Sequence, residues 1–181
     1  MAQGLDPDPL HQTVADPKTI GHGKVTKPNL KDRHQIEVYF LHMSMKIGRR
    51  LRKYGYEAQA FSIGALTDQG WLQQNYKTLN PLDDGALVNK LCTDFLETSW
   101  RGQGIFQVHI RATDPKAKLM QGDFFKETDP KKDRLNATID KINMKYGEFA
   151  VCPALLLDRS DMPNVIAPSW KPYGHRETIS Y

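Results

Sequence analysis

Between Asp32 and Gly55 the large apolar residues Ile36, Tyr39, Phe40, Met43, Ile47 and Leu51 recur at intervals of three and four. That period places them on one face and predicts an amphipathic helix. Asp32 followed by Gln35 has the form of a capping box at its start, and Gly55 supplies a C-cap glycine at its end. A second helix is predicted in "NPLDDGALVNKLCTDFLETSW", with Asp83 or Asp84 as N-cap and Leu87, Val88, Leu91 and Phe95 on its apolar face.

The segments between these helices follow a period of two. "IFQVHIRAT" alternates, with Phe106, Val108 and Ile110 on one side and Gln107, His109 and Arg111 on the other. "YEAQAFSIGALT" and "GWLQQNYKTL" are extended segments joined by a short turn around "DQG", the pattern of a hairpin. In its second arm Asn75 and Lys77 share one face, and Leu72, Tyr76 and Thr78 fall on the other. "KTIGHGKVTK" reads as a first strand, weakened by two glycines that allow close backbone approach. The order β-α-β-β-α-β over residues 18–114 predicts an α+β fold. Two helices would cover the apolar face of a four-stranded sheet and leave its polar face open.

The flanks are different in character. Residues 1–17 are rich in Asp, Pro and Gly and read as a linker. Periodicity is lost over 115–128. It returns after Asp129-Pro130 as a short helix with Leu135, Ile139 and Ile142 on one face, ending at Gly147. The remainder of the 129–181 segment is expected to be mostly irregular, with one strand near Phe149 to Cys152. No internal repeat is present.

Composition narrows the setting. No run of about 18 apolar residues occurs and the N-terminal stretch has no signal-peptide character, so a protein that stays in the cytoplasm, off the membrane, is expected. Cys92 and Cys152 read as small buried residues and no disulfide is predicted. The chain holds 25 Lys and Arg against 21 Asp and Glu. The excess is concentrated: residues 18 to 55 contain ten cations (Lys18, Lys24, Lys27, Lys31, Arg33, Lys46, Arg49, Arg50, Arg52, Lys53) and two acids, Asp32 and Glu37. That half is a candidate polyanion surface, although "RRLRK" also suits a helix C-terminus, where cations complement the dipole.

Catalytic chemistry is not visible. There is no phosphate-cradling glycine loop, no HExxH helix and no paired CxxC. His34 and His42, two turns apart on one helix, are too few to define a metal site. Asp83 and Asp84 are better explained as helix caps than as acid and base. What is present is a polar sheet face bearing donors, Gln107, His109 and Arg111 with Asn75 and Lys77. It suits phosphate oxygens and equally suits plain solvation.

Read in order, "KTIGHGKVT", "GRRLRKYGY", "AQAFSIGALTD" with "NYKTL", "PLDDGALVNKL" and "FQVHIRAT" resemble the little-finger domain of Y-family translesion DNA polymerases. "GLDPDPL" looks like that family's exit from the thumb domain. "LNATIDKINMKYG" and "APSWKPYGHRETI" are similar to the C-terminal extension of the UmuC branch, the impB/mucB/samB group. The resemblance implies that the palm and fingers, with the carboxylates that hold magnesium, precede this chain. By itself the chain would then have no cofactor and no polymerase activity. It also implies duplex DNA as a partner, with phosphate contacts carried over to Lys18, Thr19, Gly21, His22 and Lys24 in the first strand. Asn75, Lys77 and Thr78 follow in the third strand, and His109 and Arg111 in the fourth. These are largely outward positions; Thr78 is the exception to simple alternation. The family often has Arg where this chain has Asn75 and His22, which implies a weaker grip on phosphate above the usual His pKa of about 6.5.

"MQGDFF" places two phenylalanines in the most polar part of the chain. "QGDFF" resembles the pentapeptide by which bacterial polymerases dock on the sliding clamp. In that likeness Gln121 and Asp123 take the polar positions, while Phe124 and Phe125 fill an apolar pocket. Gly122 departs from the usual Leu and adds backbone entropy, which implies modest affinity. These likenesses imply a DNA-binding and clamp-docking portion of an error-prone polymerase acting in repair and SOS mutagenesis. The alternative is a protein-interaction module that binds an SOS regulator or a recombinase filament. An RNA-binding sheet is disfavoured because only Tyr76 and Trp71 offer aromatic rings near the outward faces.

Overall fold

The computed structural model describes residues 16–118 and 129–161. Along the chain run β1 (Thr19–Leu30), α1 (Arg33–Lys53), β2 (Tyr56–Thr67), β3 (Gly70–Leu82), α2 (Gly85–Ser99), β4 (Ile105–Thr113), the two-residue β5 (Lys116–Ala117) and α3 (Pro130–Tyr146). A 3-10 helix at Ala154–Asp161 follows. The β-α-β-β-α-β order is the one expected, and the fold is α+β. The strands lie in the order β1-β4-β2-β3, every pair antiparallel, so β4 is inserted between β1 and β2. β5 was not anticipated; it pairs with Tyr56 and Glu57 at the start of β2.

The caps explain where each helix begins. Asp32 accepts from the Gln35 amide at 3.2 Å, but the Gln35 side chain returns to the Asp32 carboxylate rather than to its backbone, so only half of a capping box forms. Asp84, not Asp83, caps α2 and accepts from the Ala86 amide at 2.7 Å. Asp129 caps α3 ahead of Pro130. At the hairpin tip Gly70 has φ +110, a conformation that glycine adopts without a Cβ clash.

Both helices pack on one face of the sheet. Ile36, Phe40, Met43, Ile47 and Leu51 of α1 and Val88, Cys92, Phe95 and Leu96 of α2 meet Phe61, Ile63, Ala65, Val108, Ile110 and Ala112. Burial pushes the Cys92 thiol up to about 12, and neither Cys92 nor Cys152 is in a disulfide. Strict alternation fails at the start of β4. The ladder shifts against both neighbours there, leaving Ile105 fully buried and Phe106 only half-buried.

The segment after Asp129 folds back over α1 chiefly through polar contacts. Arg52 makes two bonds to Asp140, at 2.7 and 2.9 Å, and Lys132 pairs with Asp84 at 2.7 Å. Asn143 exchanges two hydrogen bonds with Val151, at 2.7 and 2.9 Å. Phe149 stacks on His42 at 4.9 Å, and Leu156 enters the core. Two expectations are corrected. The apolar face expected on α3 is poorly covered, Leu135 being 58% exposed, because ion pairs and not packing hold this helix. The strand expected at Phe149 to Cys152 is a bend leading into the 3-10 helix, since the Val151 backbone is engaged by Asn143 instead of a ladder.

α1 and α2 cross at two glycines. A Cβ on Gly48 would lie 2.8 Å from Gly85 Cα, and one on Gly85 would lie 2.7 Å from Met45 Cα. Helix propensity alone favours Ala by about 0.8–1.0 kcal/mol. Here the obstacle is backbone, so the clash outweighs that gain. Gly48→Ala is expected to lower stability in urea by about 1–3 kcal/mol. A stabilised variant would mean that the crossing has room to spare.

Candidate nucleic-acid interface

Antiparallel pairing arranges the uncovered face of the sheet in four cross-strand rows. Thr19, Thr113, Ala60 and Lys77 form the first, and Gly21, Arg111, Ser62 and Asn75 the second. Gly23, His109, Gly64 and Gln73 form the third; Val25, Gln107, Leu66 and Trp71 form the fourth. The first two rows carry two cations, Arg111 and Lys77, with Thr19 and Asn75 beside them; between them Ser62 is buried and the Thr113 hydroxyl donates to the Ala60 carbonyl at 3.3 Å. The fourth row is apolar apart from Gln107. Its Val25 and Trp71 are 59% and 53% exposed.

His109 lies across Gly64, where an added Cβ would meet its Cε1 at 2.6 Å and the Leu72 carbonyl at 2.8 Å. Its ring also packs at a tilt against Trp71, with centroids 5.2 Å apart and ring planes 56° apart. Burial, and after it the Arg111 charge, lower the His109 pKa below the imidazole range. At neutral pH this residue therefore offers one N–H donor and no charge.

The ten positions carried over as DNA contacts divide between the two faces. Thr19, Gly21, Asn75, Lys77, His109 and Arg111 stand together on the open face. His22 and Lys24 do not, because they pair with the core residues Ile110 and Val108 and so share the side covered by α1. Lys24 is only 7% exposed there. Lys18 is exposed just ahead of β1, its carbonyl accepting from the Asp114 amide at 3.0 Å. Thr78 keeps the parity of Tyr76, and its hydroxyl is within bonding distance of the Gln59 and Asn80 carbonyls, at 3.2 and 2.8 Å. Tyr76 also lies on the helix side, donating to Asp94 at 2.9 Å, with burial raising its phenol pKa. That leaves Trp71 as the open face's aromatic. Gln73 is an open-face residue that the sequence reading passed over, although the period of two running through Asn75 and Lys77 points to it; Trp71, noted there only as an aromatic near the outward faces, stands on the same face. Gln121, Asp123, Phe124 and Phe125 lie outside the described residues.

Among the described residues no group of three or more His, Cys, Asp or Glu is placed to hold a metal ion. No helix among them is long and apolar enough to cross a membrane. The lowered His109 pKa has a direct check. Followed by NMR between pH 8 and 5, its ring should titrate below about 6.5, and Arg111→Gln should move the midpoint upward by removing a like charge. An unshifted midpoint in the parent chain would contradict the buried, Arg-facing placement of the ring.

Three comparisons with known proteins bear on the chain. No curated protein is significantly similar to it. Among solved structures, the complex of beta-clamp processivity factor and little finger domain of PolIV aligns with a TM-score of 0.46 at 14% identity. That alignment covers 59% of this chain and 99% of the other. A family model described as the impB/mucB/samB family C-terminal domain matches residues 17–124, more than half of the chain and the whole of the four-stranded sheet with its two helices. The chain therefore belongs to the impB/mucB/samB family, whose C-terminal domain it carries at residues 17–124.

Proposed function

We propose that the open sheet face is a sequence-independent duplex-DNA surface belonging to an error-prone translesion polymerase. The observation that carries this reading is the pair of adjacent rows Thr19-Thr113-Ala60-Lys77 and Gly21-Arg111-Ser62-Asn75. Phosphate oxygens are bound by cations, hydroxyls, amides and backbone N–H groups, and such contacts position a duplex without reading its bases. The glycines and small side chains between the donors allow a phosphate backbone to approach the strands. Membership of the impB/mucB/samB family supports the assignment. In this reading magnesium and nucleotide chemistry belong to a separate palm domain, and the protein acts in the cytoplasm during repair and SOS mutagenesis.

Clamp docking is the second half of the proposal. "QGDFF" lies between two anchored points. Lys118 donates its amide to the Gly55 carbonyl at 2.7 Å and pairs with Asp83 at 2.7 Å, and Asp129 caps α3. Two phenylalanines in so polar a segment suit insertion into a preformed pocket, where a few apolar anchors dominate the energy. The apolar row of Val25, Leu66 and Trp71 favours a second reading, a module that binds an SOS accessory protein or recombinase filament through the same face.

Two measurements separate these readings. Binding to a 20-base-pair duplex, followed by anisotropy, should weaken steeply with salt. Lys77→Ala with Arg111→Ala should flatten the log–log slope by roughly 1.8, two phosphates at about 0.9 each. A flat salt response without DNA affinity would shift the assignment to the protein-interaction module. Purified bacterial clamp should bind at roughly micromolar Kd, and a Gln121→Ala, Phe124→Ala, Phe125→Ala variant should lose that binding. If neither protein binds the clamp, the two phenylalanines have a structural role.

A further inference from the structure

We propose that Lys24, Lys46 and Arg49 form a second phosphate-binding site, on the helix side of β1, and that Glu148 occupies it in cis as a carboxylate surrogate for phosphate. The reading concerns a different face from the open sheet and different residues. Only the choice of duplex DNA as the natural polyanion rests on the DNA-binding assignment above.

The geometry begins with the position of β1. It pairs only with β4, so among the described residues no strand pairs with its other edge. On that side α1 passes close enough for Arg50 to donate to the Gly21 carbonyl at 2.8 Å. One turn away, Lys46 and Arg49 reach Glu148, each through a different carboxylate oxygen, at 3.1 and 3.6 Å. Lys24 lies on the helix side of β1, opposite Val108 in the ladder, and is near enough to Lys46 and Glu148 to feel both charges. Burial lowers its pKa, the Lys46 charge lowers it further, and Glu148 acts in the opposite sense. Its ammonium has no hydrogen bond or ion pair with another described side chain.

The charges do not balance. Three cations face one carboxylate, and among the described side chains none pairs directly with the most buried of them, Lys24. A half-buried ammonium gains from an anionic partner. A phosphate group meets the surplus better than a carboxylate does, because it offers more acceptor oxygens and can engage all three cations at once. The site lies one pleat from Thr19, Gly21 and Gly23 on the open face, so a duplex held there has phosphates within reach around the β1 edge.

Glu148 is well placed as a removable occupant. It follows Gly147, whose φ of +108 ends α3 and turns the chain toward α1. The rest of the extension is held independently, by the two bonds between Arg52 and Asp140, by Asn143 on Val151, and by Leu156 in the core. Release of the Glu148 carboxylate thus requires no undocking of α3. With about a third of its side chain accessible, the ion pairs it forms are of the weak, half-exposed kind that a phosphate can displace.

The test uses the full chain and inorganic pyrophosphate, followed by amide shifts in ¹H–¹⁵N spectra, beside duplex DNA followed by anisotropy. Glu148→Gln should bind pyrophosphate roughly two- to fivefold more tightly than the parent, the fold-change equivalent of one exposed ion pair. Shifts should centre on residues 24, 46–49 and 148, and Lys46→Ala with Arg49→Ala should remove them. Glu148→Ala serves as a second variant, and an unchanged circular-dichroism melt certifies that the extension is still docked. Equal pyrophosphate affinity in Glu148→Gln and parent, or shifts confined to the open face, would overturn the proposal. With Lys77→Ala and Arg111→Ala in place, residual DNA binding that rises on adding Glu148→Gln identifies DNA as the polyanion. Pyrophosphate binding with no DNA affinity in any variant would keep the site and discard the DNA reading.

Discussion

The pairing of β4 between β1 and β2 is the constraint on which the rest depends. Both ladders assign Val108, Ile110 and Ala112 to the helices and His109, Arg111 and Thr113 to the open side. The side-chain period of a strand is two, so a slip of one residue would exchange the faces and expose the core. Arg111 and Ile110 are therefore specified by one decision. Burial of the apolar set under α1 and α2 is what holds the polar set outward.

That arrangement also accounts for the glycines. Gly48 and Gly85 let α1 and α2 approach until the helices together cover the whole apolar face, and Gly64 opens a seat for the His109 ring. The same economy leaves a sheet whose two sides differ sharply. The helix side is sealed by packing and by caps, whereas the open side is a shallow polar field with an apolar end at Trp71.

The C-terminal extension follows another logic. Its attachment relies on the Arg52–Asp140 and Lys132–Asp84 ion pairs, with Leu156 as an apolar anchor. Ion pairs that keep some contact with water are weakened by salt, whereas buried apolar packing is not. The extension is therefore the part of the described chain whose docking is most open to modulation by ionic conditions.

Periodicity alone determined the element order, both amphipathic helices, the hairpin, and the outward placement of Asn75, Lys77, His109 and Arg111, because spacing in the chain is spacing on a face. Local chemistry also placed the caps at Asp32 and Asp129. Other features had no local signature. Which of Asp83 and Asp84 caps α2, how β1 divides its contacts between two faces, and the shift at Phe106 are decided by register against strands distant in sequence. "GHGKV" carries too weak an alternation to reveal its inward side, so the family resemblance carried His22 and Lys24 over as phosphate contacts while nothing local marked them as residues under α1. The meeting of Lys24, Lys46 and Glu148 is likewise a product of tertiary structure. It joins a strand, a helix and a post-helical turn whose separation along the chain leaves no periodic trace, and only the folded packing makes the imbalance of their charges visible.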